Sequence, residues 1–72
     1  MSVIHVDVDD AQVIVHAAGR DPFALSPKLA RALARTLDLH AEQAEIIEEV
    51  GDEARVGWRS SRIYEDGSVV RR

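Results

Sequence analysis

Three groups of side chains in this 72-residue chain could do chemistry. His5, Asp7 and His16 are zinc-ligating types. His5 and Asp7 sit two apart, on one face of an extended segment, and His16 reaches that face from the segment that folds back on it. Glu42, Glu45, Glu48 and Glu49 form an acidic run at helical spacing. Arg55, Arg59, Arg62 and Arg71, with Tyr64 among them, form a cationic run carrying a ring on which a base could stack.

What is missing narrows the reading. The chain has no cysteine, hence no thiolate nucleophile, no disulfide and no thiolate metal site. No glycine-rich phosphate loop and no G-x-S-x-G elbow occurs. Two histidines and one aspartate, without a fourth obvious donor, read as half-exposed polar positions on a sheet, so the expectation is no metal. The adjacent acids Glu48-Glu49, Asp52-Glu53 and Glu65-Asp66 fall at a helix end or in turns, where solvated carboxylates are routine. The expectation is therefore a chain that is not an enzyme and takes no cofactor.

Charge is distributed unevenly. Residues 1–54 carry four basic and eleven acidic side chains, a net of −7, whereas residues 55–72 carry five arginines against two acids, a net of +3. Local potential steers association more than net charge does. A cationic tail on an anionic body therefore offers two docking surfaces of opposite sign. Arginines crowded on a sheet also keep an exposed edge from aggregating, which is the plainer explanation of the tail.

The elements that must position these groups follow from periodicity. Residues 3–17 alternate with a period of two around Asp9-Asp10. With those aspartates as the turn, Val8 faces Ala11, Val6 faces Val13 and Ile4 faces Val15, all apolar on one face. His5, Asp7 and His16 share the other face, with the histidines diagonal. Residues 18–25 read as a connection punctuated by Gly19 and Pro22. Ser26-Pro27 opens a helix, with serine as the cap and proline where no N–H is needed. Leu29, Leu33 and Leu37 form its buried stripe.

Basic residues (Lys28, Arg31, Arg35) precede the acidic ones, opposite to what the dipole of one long helix favours, so the expectation is two helices broken near 38–40. His40 then sits at a helix end. Beyond Gly51 the runs 54–59, 62–65 and 68–71, separated by Ser60-Ser61 and Asp66-Gly67, read as a three-stranded antiparallel meander. In it Trp58, Ile63 and Val70 turn inward with Val56, and Arg55, Arg59, Arg62, Tyr64, Val69 and Arg71 gather outside. The expected fold is one small α+β domain without a linker, its helices on one face of an antiparallel sheet.

Two short patterns resemble known motifs. Ala34, Leu37, Leu39 and Ile47 have the core spacing of a helix-turn-helix, but the second helix would bring four glutamates into a groove lined with phosphates. Asp7-Val8-Asp9-Asp10 is similar to the aspartate motif of haloacid-dehalogenase-like phosphotransferases. That likeness implies a doubly wound parallel sheet, and the hairpin return at 11–17 contradicts it.

The expected role is a small binding module, an accessory regulator or inhibitor acting by protein–protein contact. The alternative is nucleic-acid binding through the arginine face. Without a basic leader or an apolar run of about 20 residues, the expected location is the cytoplasm, with no membrane contact. A chain this small has a thin core, which favours a homodimer.

Overall fold

The computed structural model describes residues 3–51 and 57–72. Its elements are β1 (Ile4–Asp9), β2 (Gln12–Ala17), β3 (Phe23–Leu25), α1 (Pro27–Val50), β4 (Ser61–Ile63) and β5 (Val69–Arg71). The chain is a small α+β protein with an N-terminal hairpin, a helix and a C-terminal strand pair, as the periodicity implies.

The first hairpin forms, but its turn lies one residue later than expected. Asp9 pairs with Gln12, Val8 with Val13, Val6 with Val15 and Ile4 with Ala17. The bend is thus Asp10-Ala11, and Asp10 takes the left-handed conformation at φ 57°, which aspartate tolerates better than most residues. Moving the turn by one residue moves every pairing by two. Ile4, Val6 and Val8 therefore each stay opposite an apolar residue and both faces are preserved.

Residues 23–25, expected to be connection, form β3. Leu25 pairs with Val13 and Phe23 with Val15, giving an antiparallel sheet in the order β1-β2-β3. β2 is the central strand and β1 an edge.

The expected helix break does not occur, and α1 runs unbroken from Pro27 to Val50. Ser26 Oγ accepts the Leu29 N–H at 3.2 Å, and Gly51, at φ 95°, ends the helix while its N–H reaches Ile47 O. The macrodipole acts only within the first and last turns, so Arg31 and Arg35 lie too far in to favour a break. No Gly or Pro interrupts residues 28–50. Ala, Leu, Arg, Glu and Gln dominate there, and all are strong helix formers.

The packing face also differs from expectation. Leu37 is 59% exposed, whereas Ala32 (0%) and Thr36 (5%) are the buried positions. The row Thr36, His40, Gln43 and Ile47, spaced four, three and four, faces inward with Leu29, Leu33 and Leu39 half-buried. The helix lies against β2, β3 and β4.

The C-terminal sheet has two strands rather than three, and it is separate from the first. Residues 57–60 are not strand, and the rest of the expected first strand falls outside the described residues. The expected single sheet with helices on one face is thus replaced by two sheets against one helix. Ile63 pairs with Val69, Arg62 with Val70 and Ser61 with Arg71. Ser60 and Arg72 continue the pairing by exchanging N–H···O bonds of 2.9 Å in both directions.

The β4–β5 loop is a tight turn followed by a left-handed glycine. Gly67 N–H donates to Tyr64 O, and Tyr64 N–H to Ser68 O, with Gly67 at φ 88°, the usual form of a three-residue hairpin loop. A Cβ on Gly67 would lie 2.9 Å from Lys28 Cγ, so the loop rests directly on the first turn of α1.

Candidate functional site

The first hairpin gathers His5, Asp7 and His16, and the two-residue shift makes the histidines direct cross-strand partners rather than diagonal ones. Their rings meet edge-on at 5.6 Å between centroids. Both address one carboxylate: His5 Nε2 lies 2.8 Å from Asp7 Oδ1, and His16 Nε2 lies 3.2 Å from Asp7 Oδ2. Nε2 of each ring is thus turned to the acid. Among the described residues, no group of three such side chains is arranged to hold a metal ion.

The arginines do not form the expected row. Arg71 pairs with Ser61, whereas Arg62 pairs with Val70, so Arg62 and Arg71 project from opposite faces of β4–β5. Arg71 turns towards the helix and lies over the Trp58 ring, 5.4 Å from its centroid. Val70, expected inside, is exposed on the face of Arg62. Arg55 lies outside the described residues, as does Val56. Beside Arg62 lies a groove of ≈ 230 Å³ lined by Ser60, Ser61, Arg62, Tyr64, Val70 and Arg72. Arg59 borders a different cleft, beside Gln43, Ala44 and Ile47 of α1.

A cluster that the sequence did not indicate joins the C-terminal hairpin to the helix. His40 is half-buried at mid-helix instead of at a helix end. Its Nε2 meets Ser61 Oγ at 2.8 Å, and its ring packs edge-on to Trp58 at 4.6 Å between centroids. Arg71 lies over the same indole. The available signal was His40 itself, a polar side chain in the inward row with Thr36, Gln43 and Ile47.

Glu42, Glu45, Glu48 and Glu49 are all exposed on α1. Because the helix is unbroken, Asp38, Glu42, Glu45 and Glu49 (spaced four, three and four) make one straight acidic row. Among the described residues, none of these acids is paired with a cation.

The largest unexpected feature is apolar. Ile4, Val6 and Val8 on β1 are 70%, 58% and 80% exposed. They lie on one face of an edge strand whose outer backbone groups meet no further strand among the described residues. Ala32 is the only buried hydrophobic residue among those described, and no large side chain is fully buried.

No family model, no curated protein and no solved structure matches this chain.

Proposed function

We propose that the chain is a non-enzymatic binding module, an accessory regulator or inhibitor that works by protein–protein contact. The observation that carries this reading is the exposed row Ile4, Val6 and Val8 on an open strand edge. Native sheets blunt such edges with charge, proline or a covering element, and contiguous exposed apolar side chains mark interaction surfaces. The acidic row Asp38, Glu42, Glu45 and Glu49 adds a preference for a basic surface and supplies steering towards it. The groove beside Arg62 and Tyr64, at ≈ 230 Å³, is below the roughly 300–1,000 Å³ typical of small-molecule pockets, which also favours surface recognition.

The experiment is affinity capture from host lysate with the intact chain and two variants. One replaces Glu42, Glu45, Glu48 and Glu49 by Gln; the other is Val6→Lys. Proteins retained by the native chain and lost with either variant support the reading. Identical capture by all three, at background level, defeats it.

A nucleic-acid role has a narrower basis, the pairing of Arg62 and Arg72 with exposed Tyr64 on one face. It requires binding that weakens steeply with salt and is abolished by Arg62→Ala with Arg72→Ala. A mobility-shift titration against duplex DNA and single-stranded RNA decides it.

A further inference from the structure

We infer that β1 docks on β1 of a second copy, antiparallel, with the two-fold axis passing at Val6. This deepens the reading of β1 as a docking edge and rests on it.

The first observation is surface. The chain exposes 6023 Å², about 1,600 Å² more than the roughly 4,450 Å² expected of a compact monomer of 8.0 kDa. Its radius of gyration is 14.4 Å, against about 11 Å for a compact chain of this length. The molecule is a plate only 15 Å thick in its short dimension, with Ala32 as the one buried hydrophobic residue described. An excess of this order is surface open to association, roughly 1,000–2,500 Å² per chain being what members of obligate homodimers cover, and pairing along β1 takes up part of it.

The second observation is that the edge complements itself in one register. A C2 interface pairs a surface patch with its own copy. Pairing Val6 with the partner's Val6 puts Ile4 opposite the partner's Val8, and Val8 opposite the partner's Ile4. On the other face it puts His5 opposite the partner's Asp7 and Asp7 opposite the partner's His5. Over residues 4–8 every apolar residue meets an apolar one and Asp7 meets an imidazole, both favourable as direct cross-strand neighbours, while Asp9 falls opposite Val3 at the ends of the pairing. Centring on Asp7 instead sets two carboxylates against each other. Centring on His5 opposes two imidazoles and leaves Val8 beyond the pairing. Shifting by a single residue sets apolar against polar along the whole strand. His5 and Asp7 already hydrogen-bond at 2.8 Å within one chain, so the same pair can be shared across the axis without burying an unpaired charge.

The result is a six-stranded sheet, β3-β2-β1 continued by the partner's β1-β2-β3. It satisfies the open backbone edge and merges the two exposed rows into one apolar surface.

Sedimentation equilibrium on the intact chain at micromolar concentration should give twice the mass of 8.0 kDa. Val6→Lys sets two ammonium groups together at the axis and should weaken association about a hundredfold. His5→Asp sets carboxylate against carboxylate twice and should cost roughly tenfold, with recovery when Asp7→His is added. The chain has no cysteine, so Val6→Cys carries a single thiol placed at the axis and should give a covalent dimer on mild oxidation. Ala41→Cys on the helix is the control and should not. A folded native chain that stays monomeric at about 100 μM protein overturns the dimer. A dimer unaffected by Val6→Lys and without the Val6→Cys cross-link overturns the edge. If the monomer still captures host proteins through Val6, the docking edge stands and only self-pairing falls. If it captures none, both fail.

Discussion

The guanidinium of Arg71 rests over the indole of Trp58, 5.4 Å from the ring centroid, while Arg62, one pairing step away, points to the opposite face. Two arginines of one hairpin therefore have different work. Arg71→Ala should lower stability by about 0.5–1 kcal/mol, and Arg62→Ala should change it by less than about 0.5 kcal/mol. Urea titration at one protein concentration, read from the emission of Trp58, the only tryptophan, separates the two.

The acids at the end of α1 work against the helix that displays them. Its first turn holds no acid and its last turn no base, and Glu48 and Glu49 sit beside the negative pole of the macrodipole. Replacing each with Gln should stabilise the chain by roughly 0.3–1 kcal/mol at low salt, and by less as salt rises. Thermal melts across a salt series check this. A gain in stability together with a loss of partner capture would mean that those charges are kept for contact.

Thr36 is 5% exposed and its Oγ1 has no hydrogen-bond partner among the described residues. A buried hydroxyl left unmatched is costly, and valine keeps the shape without the polar atom. Thr36→Val should therefore raise stability by about 1 kcal/mol. Thr36→Ser, which keeps the hydroxyl and loses the methyl, should lower it. Paired denaturation curves decide between the two.

Acid should loosen the C-terminal hairpin first. The Ser68 hydroxyl donates to Asp66 Oδ1 at 2.6 Å and the Ser68 N–H at 2.9 Å, and these bonds hold the Asp66 carboxyl below its ordinary range. A carboxylate with a depressed folded pKa contributes stability that is fully present above the unfolded value, about 3.9, and is lost as pH falls through the folded one. The exchange protection of the Tyr64 N–H should accordingly drop below about pH 4. In Asp66→Ala it should already be low at neutral pH and change little with acid.

Legibility in the sequence tracked how strongly each pattern is constrained. Alternation over residues 3–17 identified both faces of the first hairpin. It did not identify the register, because displacing the turn from Asp9-Asp10 to Asp10-Ala11 leaves apolar opposite apolar. β3 is only Phe23-Ala24-Leu25, too short to show a period, and it borrows its regularity from β2. The charges that suggest a helix break carry less weight, beyond the terminal turns, than the summed propensity of residues 28–50. Spacing by four points Leu37 to the interior, yet the row through Thr36 and His40 faces inward. Nothing short of knowing where the strands lie distinguishes those two stripes. For the arginines, alternation within β4 and β5 was the right rule. A different register brought Arg71, not Val70, to the side of Trp58.

The C-terminal hairpin touches the helix at two separated places, Gly67 on Lys28 and Ser61 with Trp58 on His40. Twelve residues divide Lys28 from His40, a span of roughly 18 Å along the axis. That stretch of α1 acts as a ruler. One residue added or removed within it swings everything beyond by about 100°, so the hairpin could keep its hold at one end only. The length of the helix between those residues is therefore as much a part of the design as the side chains at its two ends.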